Sequence, residues 1–302
     1  MPSRRPDGFV MIEHARRGIG MRSDTGHAGL ADRAAAWAVL LFSAGTMLSA
    51  IVQRHLFEKV QTAQHLVEFN AGEAFALAAL LSQLLAIPDG RIALARSDRA
   101  VLVVSALAWF IPEQHGVYLA MTLAGGWLLL TRRADRHWAG IGQIWLALSI
   151  YAFWGKLVFK ILYQSIEGAE IGLIYRIGRL VYDGIGTEGA SLSVRGDWAI
   201  VVLEGCSSFH NLSLAVLVWL SILKIADRPI SRAALGALAT SFGLVVAINV
   251  ARILAMLPSR EAYHVWHDGQ GASLVALASV VAMIVPALFW IEERRCVPSR
   301  RT

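Results

Sequence analysis

Cysteine is nearly missing from this chain. Only Cys206 and Cys296 occur among its 302 residues, which excludes a disulfide framework and a cysteine-rich metal site. Charge is scarce as well: 17% of the residues are Asp, Glu, Lys or Arg, against roughly a quarter in ordinary soluble domains. No internal repeat or low-complexity tract breaks the sequence, so a solenoid is excluded. What remains is apolar. Hydrophobic residues make up 56% of the chain and the mean hydropathy is +0.53. A soluble core of this length does not hide that much apolar surface. The excess is gathered into runs, several near the ~20 residues that a helix needs to cross a bilayer.

Eight such runs are legible: 34–52, 71–87, 100–111, 117–130, 140–163, 212–225, 233–257 and 272–291. They predict an all-α polytopic membrane protein of about eight transmembrane helices. The third and fourth runs are short and are separated by Pro112-Glu113-Gln114-His115-Gly116. Proline removes a backbone donor there, so two short spans or a re-entrant hairpin are expected rather than one straight helix. The sixth helix is expected to start a turn before Leu212.

Basic residues fix the orientation, because cytoplasmic loops retain Lys and Arg. With the N-terminus inside, nineteen of the 28 Lys and Arg fall on inside segments and six on outside segments; Lys156, Lys160 and Arg252 lie within runs. Both termini are therefore expected in the cytoplasm, and the chain in the cytoplasmic (inner) membrane. The net charge of +6 follows from those loops without nucleic acid as a partner; the partners of its surface are membrane lipids. Five regions result: a basic tail over 1–33, N-terminal transmembrane helices over 34–163, an extracytoplasmic segment over 164–204, C-terminal transmembrane helices over 205–291 and a cytoplasmic tail over 292–302. The tail is too long and charged, and the run after it too long, for a cleaved signal peptide. Within the outer segment, 171–182 has helical apolar spacing. Residues 191–202 alternate like strands about an Arg195-Gly196-Asp197 turn.

Chemistry concentrates in three places. Glu204-Gly205-Cys206-Ser207-Ser208 leads into the sixth helix. A helix N-terminus favours thiolate over thiol, and Ser207 and Ser208 are natural N-cap residues. Cys206 also fits as a small core residue, as most lone cysteines do. Arg252 lies inside an apolar run, where arginine costs about 2.5–3.5 kcal/mol on insertion scales. It either serves the bundle interior or snorkels outward, as Lys156 and Lys160 are expected to do. Asn249 precedes it by three residues on the same face and is placed to orient it. Last comes the loop with His264 and His267, followed by Asp268-Gly269-Gln270-Gly271. An imidazole is a side chain suited to moving protons, and either one is a candidate; with His210 or Glu204 the pair also offers metal ligands, though in no convincing spacing. Under the charge-derived topology Cys206, Arg252 and His267 all fall on one outer face. A thiol, a cation and an imidazole make an acyl-transfer set.

Cys206-Ser207-Ser208, Asn249-Val250-Ala251-Arg252 and His267-Asp268-Gly269-Gln270-Gly271, in this order, resemble the exosortase/archaeosortase family of membrane cysteine transpeptidases. The similarity spans about residues 170–290. Two positions depart from the family pattern: Ser208 stands where glycine is common, and no tryptophan follows Gly271. The His-x-x-x-Gly spacing selects His267 over His264. The resemblance implies a thiol protease and transpeptidase with Cys206 as nucleophile, Arg252 and His267 as its catalytic partners, and Asn249, Ser207, Glu204 and His264 in support. No cofactor and no metal is implied. Its substrates would be exported proteins bearing a C-terminal sorting signal of PEP-CTERM type: a motif, a transmembrane helix and a basic tail. The acceptor would be a lipid, a glycan or water. Two other readings stay open at this level. One is a non-enzymatic component of polysaccharide assembly or transport, with Arg252 lining an anion path. The other is a metal-dependent hydrolase using His264, His267 and Glu204.

Overall fold

The computed structural model describes residues 24–57, 71–88, 93–195, 198–202 and 206–296. The chain is mostly helical, with a small three-stranded sheet. Helices α1 (Asp24–Phe57), α2 (Ala71–Ala86), α3 (Arg96–Ser105) and α4 (Leu119–Thr131) come first. Next, α5 (Arg136–Ser149) and α6 (Gly155–Gly178) are joined through a π-helical turn at Ile150–Trp154. Strands β1 (Gly186–Glu188), β2 (Ser191–Arg195) and β3 (Trp198–Val201) follow, and then α7 (Phe209–Ile225), α8 (Arg232–Met256), α9 (Arg260–His267) and α10 (Gln270–Cys296).

Four helices are long and apolar enough to cross a membrane: Ala34–Arg54 of α1, the rod Arg136–Gly178, α8, and Gln270–Glu292 of α10. Three shorter apolar helices, Ala71–Ala86, Gly116–Thr131 and Phe209–Ile225, accompany them. The expected run at 100–111 is not a helix of that kind. Its α3 opens with Arg96, Asp98 and Arg99 and passes into a 3-10 turn at Ala106–Phe110, just before Pro112.

Three boundaries differ from expectation. The basic tail expected over 1–33 is already helical from Asp24; residues 1–23 lie outside the described ones. The fifth run does not stop at Tyr163. Nothing in Gln164–Gly178 breaks a helix, so polarity changes there while the backbone continues, and 171–178 is the end of α6 rather than a separate helix. The segment around His264 and His267 is a helix, α9, not a loop. Ser259 caps it by accepting a hydrogen bond from the Ala262 N–H at 3.2 Å.

Two cores divide the molecule. The larger is built from α1, α2, α4, α5, α7, α8 and α10 around Trp138, Trp145, Leu80 and Leu148. Hydrogen bonds bridge its helices: Trp145 Nε1 donates to Ser43 Oγ at 2.8 Å, and Gln83 Nε2 to the Lys224 carbonyl at 2.8 Å. The smaller core joins the C-terminal ends of α6 and α8 to the sheet, with Ile174, Leu192, Ile200, Ile253 and Cys206 buried together. The expected hairpin is β2–β3, an antiparallel pair in which Leu192 faces Ile200. Its turn residues Gly196 and Asp197 lie outside the described residues. Strand alternation sends both apolar side chains to the same, inner face. A third strand, β1, joins through a tight turn at Gly189, whose φ of 57° suits glycine.

Candidate functional site

The sheet feeds directly into the cysteine. Cys206 follows β3 by a few residues, carries a free thiol and is 6% exposed within the smaller core. It stands two residues before Ser208, the N-cap position of α7. Ser208 does not cap with its side chain. Its backbone N–H, at 2.8 Å, and its hydroxyl both donate to the Glu170 carboxylate of α6. Ser207 Oγ instead accepts from the Phe209 N–H at 3.2 Å. A carboxylate thus lies at the positive end of α7, the end where the dipole favours negative charge. The start of α7 is pinned to the rod rather than left to a loop.

Asn249 was expected to orient Arg252. Its Nδ2 donates instead to the Cys206 carbonyl at 2.8 Å, with the side chain buried. The reason is the orphan acceptor. Cys206 precedes the helix, so its carbonyl lies in an apolar core and needs a donor. Arg252, one turn before the end of α8, turns away toward α9, where its Nε donates to the Trp266 carbonyl at 3.1 Å. No carboxylate among the described residues pairs with Arg252.

That contact fixes the helix carrying the histidines. Gly271, at the start of α10, packs so closely on Trp266 that a Cβ there would lie 2.6 Å from the indole and 2.8 Å from the Val265 carbonyl. The glycine of the His-x-x-x-Gly spacing is therefore required by a backbone approach. Next to it, Asp268 Oδ1 lies 2.6 Å from His267 Nδ1. A proton held on Nδ1 by that carboxylate leaves Nε2 for proton transfer. The Tyr263 ring stacks on the His267 imidazole, with centroids 4.6 Å apart and planes at 14°. Tyr263 also meets Trp198 of β3 and His264 edge-on. Burial raises the Tyr263 phenol above its ordinary pKa; the charges of Cys206 and Asp268 add to this and Arg252 opposes it.

The chain matches no family model, no curated protein and no solved structure. The chemistry of the site rests on its geometry. Cys206, Asn249, Arg252 and α9 are joined through two hydrogen bonds and one shared core. His264 stands apart: its side chain is 59% exposed, against 32% for His267, and it reaches Asp268 only at 3.8 Å. Glu204 lies outside the described residues. Among the described residues, no group of three His, Cys, Asp or Glu side chains is assembled that would hold a metal ion.

Sequence reasoning missed Glu170 and the pairing of Asp268 with His267. The first had a signal in its position, an acid among apolar neighbours on a helix. The second had one in adjacency, since a carboxylate next to an imidazole is a ready orienting partner. Lys156 also departs from expectation. Rather than simply snorkelling, its Nζ lies 3.2 Å from His115 Nε2 and lines a cavity.

Proposed function

We propose that this chain is an exosortase-like membrane cysteine transpeptidase. In this reading the helices form about eight spans of the cytoplasmic membrane, with both termini inside and the smaller core on the outer face. An exported protein docks its C-terminal transmembrane helix beside α7, α8 and α10, bringing its sorting motif to Cys206. The Cys206 sulfur, as thiolate, attacks the scissile carbonyl, and Arg252 stabilises the charge that develops on its oxygen. His267, charged and oriented by Asp268, gives its Nε2 proton to the leaving amine as the C–N bond breaks. The product is a thioester to Cys206. An acceptor hydroxyl, amine or water then loses its proton to His267, attacks the thioester and releases the thiolate.

The observation that carries this reading is the linkage across three elements. Asn249 of α8 holds the Cys206 backbone while Arg252, three residues on, holds the helix that presents His267. The order of the three motifs, which resembles the family's, supports it independently.

The test is processing of a co-expressed, epitope-tagged protein that ends in a motif, a transmembrane helix and a basic tail. Wild type should shorten it by the C-terminal signal, and Cys206→Ala should leave it full length. Undiminished processing by Cys206→Ala would falsify the mechanism.

A further inference from the structure

Helix α6 takes an unexpected course. The rod enters the bundle at Arg136, whose guanidinium pairs with Asp227 at 3.0 Å, just beyond the C-terminal end of α7. From Arg136 to Trp154 it rises about 28 Å, close to the ~30 Å hydrocarbon thickness of a bilayer. At Lys156 it has already reached the opposite end. Lys156 borders the same space as Arg54 near the end of α1, Ala71 at the start of α2 and His210 at the start of α7. The crossing is therefore complete where α6 begins. The 24 residues of α6, about 36 Å of helix, are left over.

Those residues do not stand clear of the bundle. Phe159 packs on Phe209, ring centroids 5.5 Å apart, and Glu170 accepts from Ser208, both at the start of α7. At Gly178 a Cβ would lie 3.0 Å from the side chain of Leu254, near the end of α8. On α8, the level of Cys206 is marked by Asn249, which bonds its carbonyl. Leu254 lies only about 8 Å farther along, whereas α6 runs about 28 Å from Phe159 to Gly178. Helix α6 thus passes across the ends of α7 and α8 instead of continuing along the bundle axis. The π-helical turn at Ile150–Trp154 is the natural place for that change of direction.

The two faces of α6 differ in the way a membrane surface demands. Ile171 and Ile174 are buried in the smaller core. Both acids of the helix are half-buried and held within the chain: Glu167 accepts from Tyr163 at 2.7 Å, and Glu170 from Ser208. The exposed face is apolar. Val158, Leu162, Ala169, Leu173, Ile177 and, just past the helix, Leu180 are all exposed and follow one another at helical spacing, so they form one stripe. Leu180 is 86% exposed. The exposed ionisable residues of α6 and its C-cap are Lys156, Lys160, Arg176 and Arg179, all basic. An apolar stripe accompanied by exposed bases and no exposed acid is the pattern of a helix lying in a membrane interface.

We propose that α6 lies in the membrane interface at the Cys206 end of the bundle, its apolar stripe among the acyl chains and Arg176 and Arg179 on the headgroups of anionic phospholipids. The proposal rests on the helices crossing a membrane and stands whether or not Cys206 is a nucleophile. The full chain is reconstituted in phosphatidylglycerol vesicles with a trace of phosphatidylcholine that carries a diazirine near the glycerol end of one acyl chain. After irradiation, adducts are mapped by peptide mass spectrometry. They should form over 173–180 as well as on α8 and α10. An α6 standing upright in water would leave 173–180 unlabelled while α8 and α10 are labelled, and that result overturns the proposal. Absence of adducts from α8 and α10 as well would overturn it at its premise, the crossing itself. Vesicles of phosphatidylcholine alone, or the Arg176→Gln/Arg179→Gln variant in phosphatidylglycerol, should cut labelling of 173–180 about threefold or more. Labelling of α8 and α10 should not change, which guards against a folding defect, and Arg176→Lys/Arg179→Lys should label like wild type. Labelling of 173–180 indifferent to both lipid and charge overturns the proposal. So does labelling there that vanishes as the protein-to-lipid ratio rises, which would make the stripe a contact between copies of the chain.

Discussion

Two arginines of this protein lie close to apolar surroundings and are treated in opposite ways. Arg132, at the end of α4, is paired with Asp98 of α3, and the same carboxylate accepts from Trp127 Nε1 at 3.0 Å and from the Ala95 N–H at 2.9 Å. Asp98 is buried and every one of those donors is spent on it. Arg252, near the end of α8, has a backbone carbonyl as its partner and no carboxylate among the described residues. The first cation closes a joint between helices. The second, half-buried, is met by a carbonyl and by no carboxylate among the described residues, which suits the anionic intermediate of the proposed reaction.

The comparison breaks most visibly at Arg252. Arg252→Gln should lower processing of a tagged substrate by about 100-fold or more while leaving the melting temperature nearly unchanged. A large loss of stability with intact processing would reverse the assignment of the two arginines. At the other site, Asp98→Ala should cost about 2–3 kcal/mol, because it strands Arg132 and the Trp127 indole. Denaturation in detergent reads this directly, and the surviving folded fraction should process substrate normally. Acid sharpens the same point. Burial alone would raise the Asp98 pKa, but the hydrogen bonds from Trp127, Arg132 and Ala95 outweigh it and hold the carboxyl below its ordinary range. Its stabilising contribution is therefore complete above the ordinary carboxylate pKa and fades as pH falls through the folded value. Melting temperatures followed downward from pH 6 should drop more steeply for wild type than for Asp98→Asn. The smallest effect is expected at His264, exposed and distant from the core: His264→Ala should change processing by less than about twofold, whereas His267→Ala should abolish it.

Much of the bundle was legible in the sequence because apolar runs map onto helices with little ambiguity. The α7, α8 and α10 boundaries lie within a few residues of their runs, and alternation over 191–202 announced β2 and β3. The failures share a cause. At Tyr163 the pattern changes from apolar to mixed, and composition was taken for a break in the backbone. Helix propensity carried on without it, because neither Pro nor a capping Gly intervenes before Gly178. At α9 the reverse held: eight polar-rich residues looked like loop, yet Ser259 and the next residues make a sound helix start. The candidate site residues stand out in the sequence by type and order. Their partners were not, because hydrogen bonds such as Asn249 to the Cys206 carbonyl and Ser208 to Glu170 join positions about 40 residues apart.

The rod formed by α5 and α6 carries a mechanical consequence. At 43 residues it is about 65 Å long, roughly twice the ~30 Å hydrocarbon thickness of a bilayer. Glu170 rides near its far end and grips Ser208, so the angular setting of α7, with Cys206 just before it, is indexed to the phase of the rod. One residue inserted between Tyr163 and Glu167 would turn Glu170 by about 100° around the axis and swing it off Ser208, whereas an insertion in a surface turn would be absorbed. The helix thus acts as a camshaft: its rotation, more than its height, sets whether Cys206 faces its partners.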